Sequence, residues 1–205
     1  MHNFMGRTTC PGPAASIAVG LATALATMAA VPTMARAETV TVDIWEHGSW
    51  RVRKYETPGY AGFGGCEVRT GGDGAGVVSI HVGDGGSDAS VSYVPVAFRG
   101  MPSPLMLDDT VFFFVDGLPI AVSHQLEISE YENGYGEWQV SADAGNDGVA
   151  GTVRDLRAGN LMEVGVTRAG TMTIYDSYPL NGFTATWLKA SDWCGFDPAR
   201  TFQTL

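Results

Sequence analysis

Three histidines lie beyond residue 38: His47, His81 and His124. Three imidazoles gathered by a fold would make a metal site. Their spacing does not ask for one, since neither H-x-H nor H-E-x-x-H occurs. His81 falls on the more polar side of a strand pattern. His47 sits in the turn-like Glu46-His47-Gly48. They read as scattered surface or rim histidines, and no metal ligand is assigned. Aspartates accompany glycines around Asp73, Asp84, Asp88, Asp108, Asp109, Asp143 and Asp147. Calcium needs several converging oxygens. The EF-hand loop and the glycine-rich repeats of calcium-binding solenoids are both missing, so solvated turns are expected. No G-x-S-x-G elbow marks a nucleophile. Carboxylate pairs for glycoside cleavage are defined by separation in space, and the abundant acids single none out. No catalytic residue and no cofactor are therefore assigned. The candidate binding surface is Tyr131 and Tyr135, within Glu130-Tyr131-Glu132-Asn133-Gly134-Tyr135-Gly136. Tyrosine and glycine suit adaptable contacts. The competing reading packs both tyrosines on a hairpin. Of the five tryptophans, Trp45, Trp50 and Trp187 are expected in the core, leaving Trp138 and Trp193.

The chain start bears on where such a surface would work. The first fifteen residues hold Arg7 and His2 and no acid, and an apolar stretch runs from Ile17 to Val31. Pro32 ends it, and the small-residue site Ala35-Arg36-Ala37 follows. This order predicts a cleavable signal peptide over residues 1–37 and a single mature domain over 38–205. A retained anchor is the alternative, but the stretch is shorter than the ~20 residues a spanning helix needs. Cys10 precedes the apolar stretch and no cysteine follows its end, which disfavours a lipoprotein. The expected location is periplasmic or secreted, without stable membrane insertion after cleavage.

Cleavage would remove Arg7 and Arg36, leaving ten basic residues against 22 acidic ones, a formal charge of −12. Such a chain is repelled by phosphate backbones and anionic lipid, so nucleic acid is not an expected partner. Two cysteines would remain, Cys66 and Cys194. An even pair in an oxidising compartment predicts one disulfide. The C-x-x-C spacing of zinc sites is absent.

The elements that must position these residues are mostly strands. Thr39 to Trp45 alternates with Val40, Val42 and Ile44 on one side. Ser49 to Tyr55 places Trp50, Val52 and Lys54 together. Cys66 and Val68 share a face opposite Glu67 and Arg69. Val77 to Val82 sets Val78, Ile80 and Val82 against Val77, Ser79 and His81. Val91 to Phe98 groups Val94, Val96 and Phe98, and Pro95 makes it an edge or bulged strand. Thr110 to Val115 is apolar enough for burial on both faces. It leads through Asp116-Gly117, a tight-turn pair, into Leu118 to Val122. Trp138 to Ser141, Leu161 to Val166 and Thr171 to Tyr175 complete the set. Glycine clusters at 71–74 and 83–86 read as surface turns.

Two helices are predicted. In 148–158, Val149, Val153 and Leu156 recur at helical spacing, with Asp147 as the expected cap and Gly159 as the stop. In 182–194, Phe183, Trp187, Ala190 and Cys194 form one face. A Cys66–Cys194 bridge would thus join two inward faces. The fold expected is mainly β, a single-domain β-sandwich or open barrel with two short helices in its C-terminal half.

The stretch Asp147 to Cys194 resembles the invasion-associated locus B family of exported proteobacterial proteins. The likeness lies in Leu156-Arg157-Ala158-Gly159-Asn160-Leu161, in Tyr178-Pro179-Leu180-Asn181-Gly182-Phe183-Thr184-Ala185, and in a final helix ending in cysteine. Trp50-Arg51-Val52 and the downstream Cys66 extend it loosely. Family members often carry a cysteine shortly after the first-segment tryptophan, where Lys54 stands, and further cysteines mid-chain. No family disulfide plan carries over. The resemblance implies a periplasmic or outer-surface protein. Some members are linked to host-cell entry, a role not transferred to this chain. The expectation is a non-enzymatic binding module whose partner is another envelope or surface protein component. A carrier of a small apolar ligand inside the β-structure and a hydrolase with dispersed acids are the alternatives.

Overall fold

The computed structural model describes residues 39–58, 64–86, 88–98, 101, 103–133 and 136–199. The expected leader and Tyr135 lie outside the described residues. Among the described residues, eleven strands form two antiparallel sheets. They are β1 (Val40–His47), β2 (Trp50–Glu56), β3 (Gly64–Gly72), β4 (Ala75–Gly83), β5 (Ala89–Val94), β6 (Thr110–Val115), β7 (Leu118–Pro119), β8 (Glu127–Glu132), β9 (Trp138–Ala144), β10 (Leu161–Arg168) and β11 (Thr171–Pro179). The larger sheet runs β1-β2-β3-β4-β5-β9-β8, and the smaller runs β11-β10-β6-β7. The architecture is sandwich-like and not a closed barrel. Helix α1 (Asn146–Ala158) and helix α2 (Phe183–Cys194) both belong to the C-terminal half. Among the described residues, no helix is long and apolar enough to cross a membrane.

One core joins these elements. Val52, Val68, Val78, Ile80, Val82 and Val91 have no exposure and face inward from the larger sheet. Phe113, Val164 and Met162 face them from the smaller one. Helix α2 packs on β2 and β3, and α1 packs on β5. Phe183, Trp187, Ala190 and Cys194 are buried together, as the helical spacing requires. The sulfurs of Cys66 and Cys194 are 2.06 Å apart with Cα atoms 6.1 Å apart, the separation of a disulfide. The bond would pin the end of α2 to the inward face of β3.

Gly48 and Gly182 fix the start of α2. Both have positive φ, and a side chain on either would strike backbone of the opposite loop. Their closeness lets Ser49 N donate to Asn181 O at 3.0 Å. The Leu-Asn-Gly-Phe run is thus a docking turn against the β1–β2 hairpin.

Several local expectations are corrected. A bulge between Thr41 and Asp43 breaks the alternation of β1. Val40 pairs with Glu56 but Ile44 with Arg53, positions of opposite parity on β2, so Val40 and Ile44 do not share a face. All three aliphatics of β1 are about half exposed, Ile44 the most at 58%. Strand β5 is internal, between β4 and β9, and stops at Val94 because Pro95 has no amide hydrogen to continue the ladder. Val91 and Tyr93 face inward there, while Phe98 is exposed. Strand β6 buries Val111 and Phe113 fully, but Phe112 and Phe114 only in part. The Asp116-Gly117 turn forms with both φ angles positive, yet β7 ends after two residues and a 3-10 turn follows. Gly145, not Asp147, occupies the cap position of α1. Asp147 lies in the first turn, where its charge still favours the helix dipole.

Candidate functional site: the outer face of the seven-stranded sheet

Alternation gives each strand of the larger sheet a second, outward set. Both helices pack on the inward side. The outward set is Arg51 and Arg53 of β2, Glu67 and Arg69 of β3, Ser79 and His81 of β4, and Ser90 and Ser92 of β5. Strand β9 adds Ser141 and Asp143, and β8 adds Glu127, Ser129 and Tyr131. The registers align these into rungs. Arg51 faces Arg69, Arg69 faces Ser79, Ser79 faces Ser92, Ser92 faces Asp143, and Asp143 faces Glu127. A parallel rung runs Arg53, Glu67, His81, Ser90. A groove of about 540 Å³ opens over this face, from Glu67 and Arg69 at one end to Ser129, Tyr131 and Asp143 at the other. Val77 and Val94, directly paired, give its floor an apolar strip.

The two ends differ in charge. Glu67 is only 4% exposed. A buried carboxylate is tolerated only with cationic or donor partners. Arg53 contacts it directly, His81 Nε2 lies at 3.6 Å and Arg69 Nη1 at 3.9 Å. Arg69 Nε is buried with no hydrogen-bond partner. Burial pulls the Arg69 guanidinium below its ordinary value, with Glu67 opposing. Burial likewise holds His81 below the usual histidine range, again against the pull of Glu67, so its imidazole is neutral at neutral pH. At the far end, Asp143 Oδ2 accepts from Ser141 Oγ at 2.5 Å and lies 3.5 Å from Ser129 Oγ. Tyr131 OH donates to Gln139 Oε1 at 2.9 Å. Burial, then the charge of Asp143, raises the Tyr131 phenol.

Ser79, His81 and Glu67 are the components of a hydrolase triad without its geometry. A working triad places the serine on one imidazole nitrogen and the acid on the other. Here Ser79 Oγ at 3.1 Å and Glu67 Oε1 at 3.6 Å both approach Nε2. The arrangement orients a neutral histidine and offers hydrogen-bonding groups to a ligand.

The structure brings Tyr131 and His81 into the groove and leaves His47 and His124 elsewhere. His47 stacks on Trp45 at the end of β1, and His124 closes the 3-10 turn after β7. Among the described residues, no group of three or more His, Cys, Asp or Glu side chains could hold a metal ion. Of the aspartates expected in solvated turns, Asp147 lies in α1, and Asp143 and Asp109 lie elsewhere too. Asp143 is in β9 within the groove. Asp109 is buried and takes Arg168 Nε at 2.7 Å and Nη2 at 2.6 Å, which holds its carboxyl below the usual range. Trp50 and Trp187 are core, and Trp45 packs against it in part. Trp138 is 71% exposed and faces away from the groove, since it shares parity with inward Val140. Glu67, Arg69 and the serines carried no motif. The available signal was that the central outward positions of β3, Glu67 and Arg69, and of β4, Ser79 and His81, are polar.

These features define an antiparallel two-sheet domain with a polar, charge-graded groove on one open face. No known family model matches the chain, and no curated protein matches it.

Proposed function

We propose that this is an exported binding module of the cell envelope, non-enzymatic, that engages a polypeptide component of the envelope or surface through the outer face of its larger sheet. The observation that carries the reading is the groove from Arg69 to Asp143, a concave, hydroxyl-lined floor with opposite charge at its ends. The Cys66–Cys194 pairing supports an oxidising compartment. The resemblance of Asp147–Cys194 to invasion-associated locus B proteins supports an envelope setting, periplasmic or secreted. Crosslinking capture from the native envelope, read by mass spectrometry, tests the reading. A dominant partner retained by the wild type and lost by an Arg69→Gln/Asp143→Asn variant is the expected result. Equal recovery by that variant would move the binding site off this face.

A second reading is favoured by a groove of about 540 Å³ between the helices, lined by Ala150, Val153 and Trp187, with Arg154 and Arg157 among its residues. It suits a small apolar ligand with an anionic end better than the space between the sheets, which core side chains occupy. Native mass spectrometry finding a bound lipid or fatty acid would support this carrier function.

A further inference from the structure

We infer that the groove reads an extended segment carrying an acidic and a basic side chain four residues apart, with a small or hydroxyl residue midway. The inference rests on the binding-module reading and names the ligand of that same face. Arg69 and Asp143 belong to one rung, and three strand-to-strand steps separate them, through β4 and β5. Neighbouring strands lie about 4.8 Å apart, so the two positions are ~14 Å apart. An extended chain rises about 3.4 Å per residue, so four residues cover that span.

Period-two alternation then fixes which side chains meet the groove. Residues i, i+2 and i+4 point to one side, whereas i+3 points away. Position i+2 lies over Ser79 and Ser92, where short side chains fit and a hydroxyl finds partners.

The charges decide the ends. Arg53 takes up Glu67 at close range, while Arg69 is farther from that carboxylate, keeps about a quarter of its side chain exposed and faces Arg51 across the strands, so cations outnumber the one carboxylate. That end attracts a carboxylate. Asp143 faces Glu127 across β9 and β8, which makes the other end acidic and attractive to an ammonium or guanidinium group. The polarity gives selectivity for a charge pair of fixed spacing in a protein whose overall charge alone would favour any cation.

The test is NMR titration of the isotope-labelled, disulfide-intact protein recovered from the periplasm. The probe is acetyl-Gly-Glu-Ala-Ser-Ala-Lys-Gly-amide, and its control moves lysine one place closer to glutamate. The first peptide should shift amide signals of β3, β4 and β9 and bind at least about tenfold more tightly than the control. Arg69→Gln and Asp143→Asn should each weaken it by about tenfold, equivalent to about 1.4 kcal/mol. Equal binding of the two peptides, or no shifts at millimolar peptide, overturns the spacing rule. If envelope capture still depends on Arg69 and Asp143 in that case, the binding-module reading stands and only this inference falls.

Discussion

On β4, Val78, Ile80 and Val82 are fully buried, while Val77, Ser79 and His81, one residue away, line an open groove. The same contrast holds on β3, where Cys66 and Val68 face inward and Glu67 and Arg69 outward. Identical backbone therefore serves two purposes. The inward face holds the sheet to α2 and the smaller sheet by apolar burial, worth roughly 25 cal/mol per Å² removed from water. Apart from Glu67, which is buried and depends on its cationic partners, the outward face arranges charges and hydroxyls whose net contribution to folding is small, because most exchange water for a protein partner. The difference teaches that stability and recognition can be altered separately here, one parity at a time.

The largest expected effect lies on the inward face. The Cys66–Cys194 bridge would close a sequence separation of 128 residues. In the chain-entropy treatment, removing such a link costs about 5 kcal/mol. A Cys66→Ala/Cys194→Ala protein should lose stability on that order in urea unfolding, yet keep groove binding while it remains folded. A loss below about 1 kcal/mol would mean that packing of Phe183 and Trp187 alone secures α2. Simultaneous loss of binding under native conditions would break the separation between the faces.

A sharper comparison uses adjacent residues. Ile80→Ala removes a fully buried side chain and should cost about 3 kcal/mol. Ser79→Ala deletes only the contact with His81 at 3.1 Å and should cost about 1 kcal/mol or less. Urea midpoints of the two proteins measure the contrast directly. Near-equal losses would show that the hydroxyl network is part of the fold's support and not a separable surface.

This asymmetry also explains what could be read from the sequence. The inward face was legible because burial imposes period: Val78, Ile80 and Val82 repeat every second residue, and Phe183, Trp187, Ala190 and Cys194 repeat every third or fourth. The cysteine pair followed from number and compartment. The groove was not legible, since Arg69, Ser79, Ser92 and Asp143 come from four strands and meet only through the order β3-β4-β5-β9. No local pattern encodes that order. Strand β8 escaped notice because an edge strand protected by Glu127, Glu130 and Glu132 lacks an apolar stripe. The bulge in β1 was hidden for the opposite reason: Val40, Val42 and Ile44 alternate cleanly in sequence, and a bulge costs no residue type its identity.

The smallest expected effect concerns His81, the histidine of the groove. Burial holds its folded-state value below the ~6.5 of an unfolded chain. Glu67 and Asp143 pull that value back up, and Arg53 and Arg69 push it further down. Between the folded and unfolded values the unfolded chain binds more protons, so stability must rise with pH there. The contribution is complete above about pH 6.5 and is lost as pH falls toward the folded value. Unfolding midpoints at pH 7.5 and 5.5 should therefore drop more for the wild type than for His81→Gln, which cannot take up the proton. Protonated His81 would also compete with Arg53 and Arg69 for Glu67, so the basic end of the groove becomes more positive on acidification. Binding of an acidic side chain at that end should tighten as the fold weakens, opposite pH trends on the two faces of one strand. If both trends run the same way in the wild type, or both persist in His81→Gln, the titrating group lies elsewhere and the two faces are coupled by something other than this imidazole.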